Sequence, residues 1–334
     1  MLEAIRQAIE MAENVLVITH ISPDGDALGA LTAVGLGMRQ WGKQVALACD
    51  DGLLARFQYL AMGDEVLDEA QMRRRVATRS DFDLIIAVDC GDEQRMGRVL
   101  TNLPGPRPTI INIDHHITNT RFGNLNLVEP AASSTAEVLY DLFKGLGIVI
   151  TPEIAVSLLT GIVTDSQSFS TPNVTAHTLA VSGALMEAGA DLSSITRQAL
   201  KLSPVSMLWV WRAGLNNMQI EDGLIWTGIS SADRAQAGLN GLSTAGLASL
   251  LGDVEQAKIS VVLLETDDGQ VTVSWRCRPP YDVSELAASL GGGGHPGAAG
   301  CTLRSGLPDA VALVVRRSQE TIRQQDKKRR NAKS

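Results

Sequence analysis

The sequence places His20, Asp24 and Asp26 within seven residues, in His20-Ile-Ser-Pro-Asp-Gly-Asp26. Asp89 closes the apolar run Asp83-Leu-Ile-Ile-Ala-Val88, and Asp114-His115-His116 closes Thr109-Ile-Ile-Asn-Ile113. Asp165 follows Gly161-Ile-Val-Thr164. Mixed carboxylate and imidazole donors suit Mn²⁺ or another first-row dication better than Ca²⁺ or a thiolate-seeking metal. Four carboxylates directed at one place repel unless protonated or neutralised, and two dications remove the problem. Two such ions about 3.5–4 Å apart are the usual apparatus for in-line attack on phosphorus, one activating water and the other steadying the phosphate. Each residue also has a local reading. Asp24 and Asp26 are turn formers, Asp89 and Asp165 helix caps, and His20 is a satisfied core histidine. Their joint placement at strand and helix ends favours the metal reading.

The surrounding pattern supplies the elements that would bring these residues together. Buried strands are expected at 14–20, 44–49, 83–89 and 109–114, and a further strand at 124–128. Between them, Ala27 to Trp41 repeats Leu28, Leu31, Val34, Met38 and Trp41 at steps of three and four, one face of a helix. Helices are also expected at 53–60, 69–76, 93–100, 134–146, 152–163 and 175–188, with Ser133 or Ser134 as a cap. Strands alternating with helices predict a doubly wound, mostly parallel sheet, whose ligands sit outside the carboxyl ends of the strands. The segment 195–218 reads as helix interrupted at Ser203-Pro204. From 219 the texture changes to strands at 224–229, 257–264 and 271–277, the last two joined by Asp267-Asp-Gly269. Asp282-Val-Ser-Glu285 has capping-box spacing, and a last helix runs from about Pro308 into a basic tail, Lys327 to Arg330 and Lys333. The fold class is therefore α/β. The expected domains are a metal-binding domain over 1–190, a helical linker over 191–218, a smaller α/β domain over 219–325 and a tail over 326–334.

The 334 residues carry a net charge of −8, with 45% hydrophobic and 20% charged residues. Such an acidic chain does not hold long duplex nucleic acid by a general basic surface, but a local cationic site can hold a short anion. The first ten residues form an amphipathic helix pattern without the basic and apolar regions of a secretory signal. No apolar run reaches the roughly 18 residues of a membrane span. The four scattered cysteines, Cys49, Cys90, Cys277 and Cys301, read as buried reduced thiols, and a cytoplasmic location is expected.

Taken in order, His20-x-x-x-Asp24-x-Asp26, Val88-Asp89, Asp114-His-His116, Gly161-Ile-Val-Thr-Asp165 and Gly291-Gly-Gly-Gly-His-Pro-Gly-Ala-Ala-Gly300 resemble the motifs of the DHH phosphoesterases. The last belongs to the family's associated C-terminal domain. The resemblance covers nearly the whole chain and implies an active site in a cleft between two domains. It implies that His20, Asp24 and Asp89 hold one Mn²⁺, and that Asp26, Asp89, His115 and Asp165 hold another, with Mg²⁺ or Co²⁺ as substitutes. His116 would reach the scissile phosphate, as stabiliser or proton donor, and Asp114 would orient the imidazole beside it. Gly292, Gly293, Gly294 and His295 would hold substrate, joined by Arg276, whose guanidinium suits bidentate phosphate binding. A run of glycines by itself is as well read as a flexible turn, and Arg276 as a solvated strand residue. Arg278 is a second candidate. His177 reads as a helix-surface residue, and Ser133 and Ser134 as caps or phosphate contacts.

Length leaves no room for the extra nucleic-acid-binding fold of a RecJ-type exonuclease, and the sensor and membrane segments of membrane cyclic-dinucleotide phosphodiesterases are missing. Within the family the chain is similar to stand-alone oligoribonucleases (nanoRNases), which also act on 3′-phosphoadenosine 5′-phosphate. The expected substrates are oligonucleotides of two to a few residues or phosphorylated nucleotides, without long duplexes or membranes, and a homodimer is implied. Two alternatives stay open: a phosphodiesterase for cyclic or linear dinucleotides such as cyclic di-AMP, and a nucleotide-binding regulator, which would show a substituted metal ligand.

Overall fold

The computed structural model describes residues 1–78, 82–202, 205–238 and 246–331. The chain divides into two units, 1–202 and 203–334. The first is built on strands β1 (Asn14–Ile18), β2 (Gln44–Ala48), β3 (Val66–Leu67), β4 (Leu84–Val88), β5 (Thr109–Asp114) and β6 (Leu125–Val128), all parallel, in the order β3-β2-β1-β4-β5-β6. Val15 and Val17 enter one core and Leu16 and Ile18 the other, so β1 is covered on both faces and reads as a continuous apolar run. One layer holds helices α1 (Leu2–Met11) and α2 (Gly25–Gln40). Across the sheet lie α3 (Glu69–Thr78) and α4 (Gly97–Thr101). The first layer is completed by α5 (Thr135–Leu146), α6 (Pro152–Asp165), α7 (Ala176–Glu187) and α8 (Leu192–Thr196).

Local chemistry sets the helix starts. The Asp24 carboxylate accepts the N–H groups of Asp26 and Ala27, each at 3.0 Å, and caps α2. Ser134 caps α5, and Thr151 with Pro152 opens α6. The periodic face expected for α2 is only part of its burial: the helix lies under α6 and is enclosed on nearly every side. The two helices approach through small residues. A Cβ at Gly29 would stand 2.4 Å from the Ser157 carbonyl oxygen.

Three expectations for this unit need adjusting. Leu53–Leu60 forms a single 3-10 turn, Ala55–Phe57, because buried Phe57 and the Tyr59 hydroxyl, 3.0 Å from Thr160 Oγ1, anchor the segment in other directions. Asp26 lies in the first turn of α2 rather than in a loop, and α6 continues to Asp165 itself.

The second unit begins with α9 (Val205–Asn216), followed by β7 (Gln219–Glu221), β8 (Leu224–Ile229), α10 (Ser231–Ala237), α11 (Leu247–Gly252), β9 (Ile259–Glu265) and β10 (Val271–Cys277). It closes with α12 (Ser284–Ser289), β11 (Gly293–His295), β12 (Ala298–Leu303) and α13 (Leu307–Asn331). The sheet order is β11-β12-β10-β9-β8-β7, mixed, with only β8 and β9 parallel. The glycine stretch is thus not a free loop: its Gly293–His295 part is an edge strand in a hairpin with β12. The expected capping box at 282–285 is an Asp282 carboxylate accepting the Ser284 N–H at 2.7 Å. The basic tail continues α13 to Asn331. The expected break at Ser203-Pro204 and Lys333 lie outside the described residues. Cys49, Cys90, Cys277 and Cys301 are free thiols, Cys277 half-buried and the others buried. No described helix is long and apolar enough to cross a membrane.

Candidate metal centre

Neighbouring strands β1, β4 and β5 deliver His20, Asp89 and the Asp114-His115-His116 run to one edge of the first sheet. Asp24 and Asp26 arrive from the start of α2, and Asp165 from the end of α6. Ligand atoms of His20, Asp24 and Asp89 lie within 4.8 Å of one another. The same holds for Asp26, His115 and Asp165, and for Asp89, His115 and His116. Asp89 belongs to two of these groups. It lies immediately after β4 with φ +59°, a left-handed conformation that Asp tolerates better than most residues.

Hydrogen bonds fix the imidazoles. His115 Nδ1 lies 3.3 Å from the Ala132 carbonyl, which turns Nε2 toward Asp165 at 3.5 Å, Asp89 at 3.9 Å and Asp26 at 4.0 Å. His20 Nδ1 lies 2.7 Å from the Ile21 carbonyl, with Nε2 3.4 Å from Asp89. The Asp114 carboxylate accepts from His116 Nδ1 at 2.8 Å. Asp114 therefore orients His116, and the imidazole directly beside it, His115, is held by a carbonyl instead. Asn119 in turn donates to Asp114, to Asn112 and to the Cys90 carbonyl.

The electrostatics match this geometry. Burial, then the charges of Asp89, Asp165 and Asp24, push the Asp26 carboxyl well above its usual range. Burial likewise raises Asp165 to about 6, with Asp89 and Asp24 adding to the rise. Burial also works to raise Asp89, but the His20 hydrogen bond and the three imidazoles outweigh it and hold the group low. The Asp114 hydrogen bond raises His116 to about 9. Ionised together, these acids disfavour one another. A divalent cation among carboxylate oxygens and imidazole nitrogens relieves that repulsion, and this donor set fits one.

The α5 start is a part of the site that sequence reasoning missed. The N–H groups of Thr135 and Ala136 donate to Asp26 at 2.6 and 3.0 Å, and the Thr135 hydroxyl donates to Asp89 at 2.9 Å. Gly161 is the second omission: a Cβ there would stand 2.4 Å from Asp26 Oδ1. Ser133 and Ser134 serve capping, and exposed His177 pairs with Asp141 at 2.9 Å.

Residues 14–162 match the DHH family, N-terminal domain, and residues 228–324 match the DHHA1 domain. A Thermus thermophilus protein, bifunctional oligoribonuclease and PAP phosphatase NrnA, is 32% identical over 309 residues, 92% of this chain and 90% of its own. The chain belongs to the DHH family. It is a phosphoester hydrolase. A Bacillus subtilis NrnA of the same description is 25% identical, spanning 91% of this chain and 93% of that one. The fold recurs in an exopolyphosphatase-related protein of Bacteroides fragilis, at TM-score 0.88 and 19% identity, covering 97% and 95% of the two chains. It recurs more distantly in the Mn²⁺ complex of Thermus thermophilus RecJ, at TM-score 0.54 and 15% identity, over 96% of this chain and 55% of that one.

The DHH hydrolase carries its remaining candidates on the second sheet. His295 pairs with Ala298, which pairs with Arg276, so the two candidates share one row and one face. Burial lowers the Arg276 guanidinium, which bonds the Trp275 carbonyl. Arg278 is bound to the carbonyls of Val254 and Ala257. Gly292 is crowded by Gly300 and Cys301, and Gly294 has φ +143°. Gly293 has neither constraint, so the local fold does not require glycine there.

Proposed function

We propose that this DHH hydrolase cleaves short oligonucleotides, of two to five residues, and removes the 3′-phosphate of 3′-phosphoadenosine 5′-phosphate, with two Mn²⁺ ions. The observation that carries the reading is Asp89, shared by two donor groups and flanked by Asp26, Asp165, His20 and His115. The names of the Thermus and Bacillus relatives support the substrate class. His20, Asp24 and Asp89 would hold one ion, and Asp26, Asp89, His115 and Asp165 the other; Mg²⁺ or Co²⁺ would substitute. Bound there, the ions would neutralise phosphate oxygens and make a water acidic enough to attack. Thr135 and Ala136 hold Asp26 in place by donating to both its oxygens, and the Thr135 bond works against, without overcoming, the rise that burial and the neighbouring acids impose. Asp114 fixes His116 through Nδ1 and keeps it protonated near neutral pH, leaving Nε2–H free to donate to a phosphate or leaving oxygen. Arg276 and His295 would bind the substrate's phosphates, and bare Gly293 would let its backbone come near.

A second reading, hydrolysis of cyclic di-AMP, is favoured by one relative, a Geobacillus thermodenitrificans cyclic-di-AMP phosphodiesterase GdpP, 27% identical over 87% of this chain but only 45% of its own length. The regulator alternative falls with membership in a hydrolase family. The test offers purified protein and Mn²⁺ a dinucleotide, a five-nucleotide RNA, 3′-phosphoadenosine 5′-phosphate and cyclic di-AMP side by side. Turnover on the first three, with little on the cyclic compound, is expected. Preference for cyclic di-AMP overturns the main reading.

A further inference from the structure

A cavity of about 500 Å³ opens in the first unit, apart from the donor cluster. Its apolar wall comes from Leu2 and Ile5 of α1, Leu127 of β6, and Val138 and Leu142 of α5. Its polar lining is mostly acidic: Glu129, Glu137 and Asp141, against neutral Thr175 and the single cation-forming residue His177. Asp141 and His177 already pair with one another.

Glu137 is unusual among them. The residue is only 4% exposed, and one oxygen, Oε2, takes all three of its donors: the Ser133 N–H, the Ser133 hydroxyl and the Thr178 hydroxyl. Oε1 has no hydrogen-bond partner among the described residues and keeps some exposed surface, on a residue that lines the cavity. An accessible carboxylate oxygen with no protein donor is free to accept from a charged donor in the cavity, a stronger bond than a neutral donor makes. Glu129, exposed nearby, makes no ion pair among the described residues.

The wall also touches the donor cluster from behind. The Glu129 N–H donates to the Asp114 carbonyl, and the Ala132 carbonyl faces His115 Nδ1. Two residues before Glu137, Thr135 donates to both Asp26 and Asp89. A single turn, 129–137, is thus cavity wall on one side and support for four site residues on the other.

We propose that this cavity is a binding site for a small organic cation, an ammonium group on an apolar body, and that its occupancy alters metal binding through the 129–137 turn. The ammonium would donate to Glu137 Oε1 near Glu129, and the apolar body would cover Leu2, Ile5, Leu127 and Leu142. The binding half stands independently of the proposed substrates; the coupling half rests on the metal reading.

The test uses the full chain and 4-phenylbutylammonium, with 4-phenylbutanol and 5-phenylpentanoate as neutral and anionic probes, scored by ligand-observed NMR and calorimetry without substrate. The ammonium should bind about tenfold more tightly than the alcohol, as expected for a charge-assisted bond. Glu137→Gln and Glu129→Gln should erase that preference; Gln at 137 keeps an oxygen for Ser133 and Thr178. Equal binding of all three probes, or an ammonium affinity indifferent to both variants, overturns the site. Coupling is read by repeating the titration with Mn²⁺. The Kd of the probe should change severalfold, and the Mn²⁺ affinity should change by the same factor when the probe is present, as linkage requires. Binding with no reciprocal change overturns the coupling. Lack of any Mn²⁺ binding identifies the failure as that of the metal reading.

Discussion

Adding one methyl group at Gly161 gives the sharpest test of how the donor cluster is built. The new Cβ would stand 2.4 Å from Asp26 Oδ1 and 2.6 Å from Ala136 Cβ, where real contacts essentially never fall under 3.0 Å. Asp26 cannot simply swing aside, because its two oxygens accept from Thr135 and Ala136 at 2.6 and 3.0 Å. Alanine improves helix propensity by about 1 kcal/mol, and overpacking costs about 1–3 kcal/mol, so Gly161→Ala should lose no more than about 2 kcal/mol of stability. A disturbed ligand support typically costs about 10–100-fold in metal affinity or activity. The expected signature is a large functional loss on a nearly intact fold. Calorimetric Mn²⁺ titration, dinucleotide turnover over a range of Mn²⁺ concentrations and urea unfolding of the metal-free protein measure the three quantities. Gly183→Ala is the control, since its Cβ meets nothing within 4 Å. Wild-type metal affinity and turnover in Gly161→Ala, or a loss accounted for by unfolding alone, would refute the reasoning.

Asp89→Asn keeps a side chain suited to the positive φ but removes the shared charge, so circular dichroism should stay native while Mn²⁺ binding and turnover fall together by at least about 100-fold. Asp114→Asn removes the partner that raises His116; the alkaline limb of the rate profile should move to lower pH, and an unchanged limb would dismiss His116 as the proton donor. Because Asp165 is raised to about 6, its contribution to the stability of metal-free protein is fully present below the ordinary Asp value near 4 and is lost as pH rises through about 6; Asp26, raised as well, adds in the same direction. Metal-free protein should therefore melt higher at pH 5 than at pH 8, and added Mn²⁺ should stabilise more at pH 8; thermal scans at both pH values decide this. Arg276→Ala and His295→Ala should raise KM with Mn²⁺ content near normal, and loss of metal would place their role elsewhere.

The first sheet was legible because each buried strand is an apolar run ended by a polar residue, and parallel order then carries those ends to one edge. His20, Asp89 and the Asp114 run could be assigned to that edge without coordinates. Thr135 could not, since capping accounts for its neighbour Ser134 and its bonds reach residues 46 and 109 positions away. Gly161 was quoted within a motif, but its purpose is visible only when α6 crosses α2. Short α10 was overlooked although Ser230 and Asp233 form a capping box, a signal present in the sequence. The glycine run misled for a physical reason: glycine has poor strand propensity, and its pairing with β12 depends on partners that local composition does not reveal.

Every side chain of the donor cluster comes from residues 20–165, and the α5 turn that braces them comes from the same stretch. Arg276 and His295 belong to a different sheet with its own core. Inheritance can therefore treat the two separately. On the proposed roles, a lineage could redraw the row containing Arg276 and His295, exchanging one phosphate ester for another, while the donor cluster passes down untouched.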